Sequence, residues 1–464
     1  MDCIILAAGR STRMKGRLTK VLHPIAGKAL VHYPVRAAID AGASRVIVMC
    51  NQETLTAIQT NLIEAFGAAR VECRIQPEPR GTGDAAREGI RVCTSDIVCI
   101  MCADTPLVDA DTIRPLLREL EQKQASLVVQ SCLVANPEGY GRIVRNTDQS
   151  VAAIREHREL RNEKERAINE INAGIYLGRR DALSAALAHL TPNNDQGEYY
   201  LTDVVEDIAT GALVVAQLGS AESLVGVNDR AQLEQAERAM YRRIARRHSL
   251  AGVTVRGEAR IEDDVQIEPD AVIESGASLR GSSSVGSGTI IEVGSVISNS
   301  KIGRNALIQP YTVIESSNVA DGAQIGPFAH LRPGSTIEED VHIGNFVETK
   351  KTLMRRGSKA NHLSYLGDGD VGERANVGAG TIFCNYDGYQ KHKTIIGSNA
   401  FIGSDSQLVA PVVVGPGAYV ASGTTVTKDV PSEAMAIARV KQENKAGYAT
   451  LLRNRFAKAA NKKA

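Results

Sequence analysis

The feature that most constrains the fold is an aliphatic residue at every sixth position along the second half of the chain. The spacing holds without error through Ile261, Ile267, Ile273, Leu279, Val285, Ile291 and Ile297. It slips by one residue, resumes at Ile302, and returns in a last run from Ile396 to Val426. Neither an α-helix nor an alternating strand has this period, but each flat face of a parallel β-helix does. We therefore predict a parallel β-helix of roughly ten coils.

Two interruptions of this spacing, at 344–370 and about 384–395, contain polar and ionisable residues. Insertions into such coils form loops on one face, which is often the binding face. One interruption contains His362, between Gly357 and Asp368. A single histidine is more often structural or solvated, but the loop and its lysine and tyrosine neighbours favour a functional role.

The first half of the chain alternates strand and helix patterns. We predict strands at Cys3–Ala8, Arg45–Cys50, Val71–Ile75 and Ile97–Cys102, with helices between them. This order predicts an α/β domain with a Rossmann-like, mainly parallel sheet that binds its ligand beyond the carboxyl ends of the strands. The predicted domains are 1–228 for the α/β domain, 229–249 for a linker helix, 250–440 for the β-helix, and 441–464 for a basic tail, solvated or partly disordered.

Composition excludes several classes of function. The net charge of +1 gives no sign of a nucleic-acid or membrane-surface partner. The start of the chain lacks the pattern of a signal peptide, and no apolar run is long enough to span a bilayer, so we expect a cytoplasmic enzyme. Cys99 and Cys102 point to opposite faces of a strand, which opposes joint metal binding, and we interpret the cysteines as small buried apolar residues.

The turn after the first strand, Leu6–Met14, is built from small residues and is followed by Lys20. It is neither a Walker loop nor a Gly-x-Gly-x-x-Gly motif. Small side chains let the backbone approach a nucleotide closely, and Arg13 and Lys20 can neutralise a triphosphate. An ordinary strand–helix turn is the alternative interpretation.

The segment Leu6-Ala7-Ala8-Gly9-x-x-Thr12-Arg13-Met14 resembles the signature of sugar-1-phosphate nucleotidyltransferases. Further motifs extend the resemblance over nearly the whole chain: Gly81-Thr82-Gly83, Gly139–Ile143 and Gln196–Asp203. The whole chain is similar to a family of bifunctional enzymes, N-acetylglucosamine-1-phosphate uridyltransferases that are also glucosamine-1-phosphate N-acetyltransferases. The resemblance implies a left-handed coil, a homotrimer, and the substrates glucosamine-1-phosphate, acetyl-CoA and UTP with Mg²⁺.

The resemblance also implies roles for individual residues of the α/β domain. Implied nucleotide contacts are Leu6, Ala7, Ala8, Gly9, Arg13, Lys20, Gln76, Gly81 and Thr82. Implied contacts to N-acetylglucosamine-1-phosphate are Gly141, Glu156, Asn172 and Asn228, and the implied Mg²⁺ ligands are Asp104 and Asn228. Pro79 and Cys102 stand where the family usually has Gln and Tyr, so the preferred nucleotide stays open.

In the β-helix, the resemblance implies that His362 is the base that takes the proton of the attacking amine. Implied contacts to glucosamine-1-phosphate are Arg332, Lys350, Tyr365, Asn376 and Lys391. Implied contacts to acetyl-CoA are Ala379, Asn385, Tyr386, Ser404, Ser422 and Arg439. Cationic side chains suit an anionic sugar phosphate, and histidine suits proton transfer near neutral pH.

Three functions remain open at this point. The first is the bifunctional enzyme, which acetylates glucosamine-1-phosphate and then couples the product to UTP, releasing pyrophosphate and giving UDP-N-acetylglucosamine for cell-wall precursors. The second is a nucleotidyltransferase of altered nucleotide or sugar preference, whose β-helix is structural or regulatory. The third is a binding module with a decayed first domain.

Overall fold

The computed structural model describes residues 1–9, 12–192, 197–224 and 226–460. Ser11 and Gln196, which belong to the quoted motifs, lie outside the described residues. The chain divides into two compact units, Met1–Arg246 and Arg247–Ala464. The domain limits at 228 and 250 stay a prediction.

The first unit is an α/β domain. Its strands are β1 Asp2–Leu6, β2 Pro24–Ile25, β3 Lys28–Ala29, β4 Arg45–Cys50, β5 Val71–Ile75, β6 Ile97–Cys102, β7 Leu127–Leu133, β8 Arg142–Arg145, β9 Val151–Arg155, β10 Glu170–Arg179 and β11 Val214–Gly219. Its helices are α1 His32–Asp40, α2 Leu55–Phe66, α3 Thr82–Ile90, α4 Ala110–Gln122, α5 Glu163–Arg166, α6 Arg180–His189, α7 Asp203–Ala209 and α8 Ala221–Leu224, and α9 follows at Arg230–Leu250.

The main sheet has the order β11-β7-β10-β6-β1-β4-β5. The strands pair in parallel except β10, which is antiparallel to β6 and β7. The central strands are apolar on both faces, as in Cys3–Ile5 and Val98–Met101, because helices cover both sides. Strand β1 ends at Leu6, two residues before the predicted end, which frees Ala7 and Ala8 to leave the sheet. The predicted mainly parallel sheet is confirmed.

The second unit consists of short parallel strands stacked in three sheets, which we call the first, second and third faces. The first face contains Thr254–Val255, Val272–Ile273, Ile290–Ile291, Leu307–Ile308, Gln324–Ile325, His342–Asn345, Lys359–His362, Asn376–Val377, Phe401–Ile402, Tyr419–Val420 and Met435–Ala436. The second contains Arg260–Ile261, Ser278–Arg280, Val296–Ser298, Val313–Glu315, His330–Leu331, Glu348–Lys350, Tyr365–Gly367, Ile382–Cys384, Gln407–Val409 and Thr425–Val426. The third contains Gln266–Ile267, Ser284–Val285, Lys301–Ile302, Asn318–Val319, Thr336–Ile337, Leu353–Met354, Gly369–Val371, Thr394–Ile396 and Val412–Val414.

The aliphatic residues of the repeat form the core of this unit. Ile261, Leu279 and Ile297 are register partners in successive coils, and each is fully buried. The one-residue slip is absorbed in a single coil, because Val285 pairs with Ile302 seventeen positions later instead of eighteen. The unit is the parallel β-helix that the spacing predicts, consistent with the left-handed coil that the resemblance implies.

The basic tail contains a helix that the sequence analysis did not predict. Residues 448–460 form a helix, α10 Tyr448–Ala460, with most side chains exposed. The side chains of this helix are therefore mostly solvated. Alanine and leucine in Ala449–Leu452 favour a helix, and the sequence analysis underweighted that propensity. Among the described residues, no helix is long and apolar enough to cross a membrane.

Candidate active sites

A cavity of about 480 Å³ lies at the carboxyl ends of β1, β5 and β6. Its lining is Leu6, Ala7, Ala8, Gly9, Lys20, Val21, Gln76, Pro79, Gly81, Thr82, Ala85, Cys102, Asp104 and Glu198. Of the described residues with an implied nucleotide role, only Arg13 is outside this lining. The residues that the sequence analysis missed here are Val21, Ala85 and Glu198; Glu198 belongs to a quoted motif, which was the available signal.

The wall beside Gly81 depends on close backbone packing. Gly81 has a positive φ of 110°, and a Cβ there would lie 2.5 Å from the carbonyl oxygen of Tyr199. The Tyr199 amide donates to the Arg80 carbonyl at 2.7 Å, and its carbonyl accepts from Gly83 at 2.8 Å. The buried Gln76 amide nitrogen donates to Asp84 at 2.9 Å and to the Gly81 carbonyl at 3.2 Å. These contacts fix the backbone that faces the cavity.

Asp104 and Asn228 meet around one cation. The ammonium of Lys20 contacts the Asp104 carboxylate and lies 3.5 Å from Asn228 Oδ1. Arg13 donates to the same Asn228 oxygen at 3.0 Å. The Val227 amide donates to the Asp104 carbonyl at 2.8 Å, which holds the Asn228 segment next to the end of β6.

These donors fit Mg²⁺. One carboxylate and one amide oxygen are hard ligands, and Mg²⁺ takes few protein oxygens and keeps phosphate and water ligands. No group of three His, Cys, Asp or Glu side chains suited to a metal occurs in the described part of the chain. Two protein oxygens leave room for ligands from substrate and water.

Three of the residues implied in sugar binding lie together. A Cβ on Gly141 would lie 3.5 Å from Glu156 Oε1, and the Asn172 amide donates to the Gly141 carbonyl at 2.9 Å. Burial raises the pKa of Glu156. Asn172 Nδ2 donates to Tyr176 Oη at 2.7 Å. The fourth residue, Asn228, contacts Arg13 and Lys20 instead. Sequence reasoning missed the contact of Asn172 with Tyr176, since side-chain contacts leave no sequence pattern.

In the second unit, cations gather on the second face. Lys350 pairs in register with Gly367, and the Arg332 amide bonds to the carbonyl of Thr349, so Arg332 and Lys350 occupy adjacent coils. Contact with the Lys391 ammonium, together with desolvation and the charge of Arg332, lowers the pKa of Lys350. Arg332 donates to Glu348 at 2.7 Å, and Tyr365 is the register partner of Glu348. Four of the five residues implied in sugar-phosphate binding therefore lie around one position.

His362 lies at a corner between the first and second faces. It ends the strand Lys359–His362, Leu363 makes the turn with a φ of 47°, and Tyr365 begins the next strand. The fifth implied sugar-phosphate residue, Asn376, pairs with Lys359 on the first face. The exposed His362 also borders a groove of about 290 Å³ with His342, Asn345 and Asn361.

A row of small residues continues from this corner along the following coils. We call Ala379, Ser404 and Ser422 the corner row. The register partners Val377, Ile402 and Val420 lie in successive first-face strands, and each corner-row residue follows one of them by two positions. Backbone bonds join Asp405 to Ala379 at 2.7 Å and Gly423 to Ser404 at 2.8 Å. Arg439 donates to the Ser422 carbonyl. Asn385 and Tyr386, also implied in acetyl-CoA binding, lie apart from the row, in the loop that contains Lys391.

Comparison with known proteins agrees with this geometry. A family model described as a MobA-like NTP transferase domain matches residues 3–194, and a bacterial transferase hexapeptide model matches residues 393–428. The Bifunctional protein GlmU of Sorangium cellulosum is 53% identical, over 100% of this chain and 98% of its own length. The chain belongs to the GlmU family. The GlmU proteins of Geotalea uraniireducens and Pelobacter propionicus are 40% and 42% identical, over 97% and 96% of this chain and 98% and 97% of their own lengths.

The GlmU assignment confirms that the chain is a multifunctional transferase, with a nucleotidyltransferase domain followed by a hexapeptide acyltransferase domain. The binding-module interpretation is therefore wrong. The cavity of about 480 Å³ is lined mainly by residues of the NTP transferase match, and the hexapeptide match includes Ser404 and Ser422. The roles of the individual residues stay predictions.

Proposed function

We propose that this GlmU-family enzyme acetylates glucosamine-1-phosphate with acetyl-CoA and then transfers UMP from UTP to N-acetylglucosamine-1-phosphate. The product, UDP-N-acetylglucosamine, would supply peptidoglycan and lipopolysaccharide synthesis in the cytoplasm. One observation carries the proposal: residues distant in sequence converge in two separate sites, one in each unit. The first has a cavity lined by Lys20 and Asp104, with Asn228 beside Lys20. The second has a cation cluster on the second face, next to the corner where His362 lies.

Acetyl transfer requires an amine without its proton, because an ammonium is not a nucleophile. His362 takes that proton as the amine attacks the thioester carbonyl, and coenzyme A leaves as the thiol after receiving a proton. Arg332, Lys350 and Lys391 bind the phosphate, which fixes the amine relative to His362. The corner row runs away from His362 and offers small side chains along which the extended coenzyme can lie.

Uridylyl transfer joins two polyanions, so the site must neutralise charge. A phosphate oxygen of the sugar attacks the α-phosphorus of UTP, and pyrophosphate leaves. Asp104 and Asn228 would hold Mg²⁺, which when bound stabilises negative charge on the transferring group. Lys20 and Arg13 contribute positive charge beside these ligands, and Gln76, Gly81 and the Ala7–Gly9 backbone bind the nucleoside. No protein nucleophile is required.

We also infer that the β-helix assembles as a homotrimer. Tyr311, Phe328 and Phe346 stack in successive coils, with ring centroids 5.3 and 5.5 Å apart. We call these three residues the aromatic ladder; each is about half exposed. It leads to Leu363, also exposed, beside His362. A contiguous apolar row is characteristic of a protein interface, and a second copy covering it would place the acetyl site at that interface.

The test is an assay of the purified full-length protein with each substrate supplied separately. We expect acetyl-CoA to be consumed with glucosamine-1-phosphate, and Mg²⁺-dependent pyrophosphate release with N-acetylglucosamine-1-phosphate and UTP. Pro79 and Cys102 line the nucleotide cavity and favour a second candidate, a transferase for another nucleoside triphosphate. Faster pyrophosphate release with ATP, CTP, GTP or dTTP would support that candidate, and absence of acetyl transfer would overturn the bifunctional proposal.

A further inference from the structure

Lys350 and Lys391 lie close enough for their ammonium groups to interact, although the two residues come from different parts of the β-helix. Lys350 belongs to the second-face strand Glu348–Lys350, whereas Lys391 belongs to a hairpin closed by the bridge between Tyr386 and Lys391. The positive charge of Lys391 lowers the pKa of Lys350, so the two ammonium groups repel each other. Something other than the lysines must therefore keep the hairpin in place before an anion binds.

Asp368 is joined to both partners of this contact. Its amide donates to the Lys350 carbonyl at 2.9 Å, and its own carbonyl accepts from Thr394, where the chain returns to the coil, at 3.2 Å. Its carboxylate Oδ2 accepts from Asn385 Nδ2 at 2.6 Å. Asn385 begins the hairpin, is nearly fully buried, and accepts from the His392 amide at 2.8 Å through its carbonyl. One aspartate thus connects the coil of Lys350 to both ends of the Lys391 hairpin.

The negative charge of Asp368 also offsets the repulsion between Lys350 and Lys391. Its carboxylate raises the pKa of Lys350, against the lowering by Lys391 and Arg332. The Asp368 backbone has a φ of 52°, in the left-handed region that aspartate adopts more readily than most residues, so the corner is compatible with this side chain.

We propose that Asp368 is a positioning residue for the acetyl acceptor, which anchors the Lys391 hairpin and holds two lysines together as a preformed phosphate site. The inference rests on the proposed acetyltransferase function and extends it. Asp368 contacts no reacting atom. It acts through Asn385, Lys350 and Lys391.

The experiment compares Asp368→Ala, Asp368→Asn, Asn385→Asp, and the double variant Asp368→Asn with Asn385→Asp, which reverses the carboxylate–amide pair. For Asp368→Ala we expect the KM for glucosamine-1-phosphate to rise about tenfold or more, with kcat and the KM for acetyl-CoA changed less than about threefold. Uridylyl transfer should be unchanged. For the reversed pair, we expect a KM for glucosamine-1-phosphate much closer to the wild-type value than that of Asn385→Asp alone.

The control is Asp321→Ala, which removes a carboxylate that accepts from the Arg304 amide at 2.6 Å, at a corner between the third and first faces. Hydrogen exchange of residues 386–391 should increase in Asp368→Ala and not in Asp321→Ala. An unchanged KM in Asp368→Ala, equal rises in both KM values, or a reversed pair no better than Asn385→Asp would overturn the inference. If wild-type protein shows no acetyl transfer, the proposed function fails instead, and hydrogen exchange with and without inorganic phosphate tests the anchoring alone.

Discussion

At the residue scale, the position of His362 at a corner of the β-helix explains its expected role as a base. His362 and His342 both line the groove of about 290 Å³, but only His362 ends a strand at the corner that leads to Tyr365. The sequence analysis placed His362 in a loop at a break of the repeat. The structure has it in a regular coil instead, because the buried Ala360 takes the inward position of an aliphatic residue. The residues of neighbouring coils that surround His362 could not be identified from the spacing alone, because paired residues lie 17 or 18 positions apart in the sequence.

We predict that His362→Ala lowers acetyl transfer by about 10²–10⁴-fold, because proton removal by a positioned base contributes that much. Uridylyl transfer should stay at the wild-type rate, as its residues lie in the other unit. Acetyl-CoA consumption and pyrophosphate release, measured on the same preparation, check this. His342→Ala is the matched control and should keep both activities. Loss of both activities in His362→Ala, or of neither, would contradict separate sites.

Asp104→Ala should abolish Mg²⁺-dependent pyrophosphate release, with a loss of about 10²-fold or more, because Asn228 alone is a weak ligand for a hard cation. Acetyl transfer should persist. Titration of Mg²⁺ against the initial rate measures the effect. Asp111→Ala, which removes an exposed carboxylate paired with Arg114, is the control and should leave release unchanged. Full release in Asp104→Ala would disprove the metal assignment.

Asp203, the first residue of α7, should make stability depend on pH. Burial, together with Glu159 and Glu206, raises its pKa to about 6 from a usual value of 3.8. Between these values the folded state binds more protons than the unfolded state, so stability falls as pH rises from about 4 to 6 and stays reduced above that range. Asp203→Asn should raise the melting temperature at pH 7.5, and the gain should vanish near pH 4.

The control for this prediction is Asp207→Asn, on the same helix, where Asp207 faces His189 at 3.3 Å in a more exposed position. Its melting temperature should follow the wild-type pH profile. A gain in Asp203→Asn that is equal at pH 4 and pH 7.5 would exclude titration of Asp203 as the cause.

At the scale of elements, the β-helix depends on corners where successive coils touch. Gly397 has an ordinary φ, but a Cβ there would lie 2.3 Å from the Pro416 nitrogen and 2.7 Å from the Gly415 carbonyl carbon. Backbone atoms cannot move aside as a side chain can. Glycine is therefore required at this corner because the neighbouring coil leaves no space for a side chain.

Gly397→Ala should destabilise the second unit by about 1–3 kcal/mol, the usual cost of overpacking. Differential scanning calorimetry should show a lower unfolding temperature for the β-helix, while uridylyl transfer at 25 °C stays normal. Gly211→Ala, where a Cβ would meet nothing within 4 Å, is the control and should not destabilise its unit in this way. Equal melting temperatures for Gly397→Ala and wild type would contradict the packing argument.

At the scale of the whole molecule, the aromatic ladder makes the trimer testable. Phe328→Lys places a charge between Tyr311 and Phe346 in the proposed interface, where an unpaired cation is costly to bury. We expect light scattering to show dissociation to monomers, with acetyl transfer falling alongside and uridylyl transfer retained. Leu250→Lys, at an isolated exposed leucine, should remain a trimer. A trimeric Phe328→Lys variant would exclude the ladder as the interface.

The sequence by itself determined the two architectures and the chemistry of the residues. The six-residue period and the strand–helix alternation depend only on which side chains must be buried. That pattern is visible in the order of apolar and polar residues along the chain. The expected roles of Leu6–Gly9, Asp104 and His362 came from the resemblance of their motifs to a known family.

Only the tertiary structure decided how those residues combine. Lys20, predicted as a phosphate ligand, lies between Asp104 and Asn228, and Asp368 joins Lys350 to the Lys391 hairpin. These contacts join residues distant in sequence, and the strength of a charge interaction depends on distance and burial in space. Such distances follow from how sheets and coils stack, which no local pattern of residue types contains.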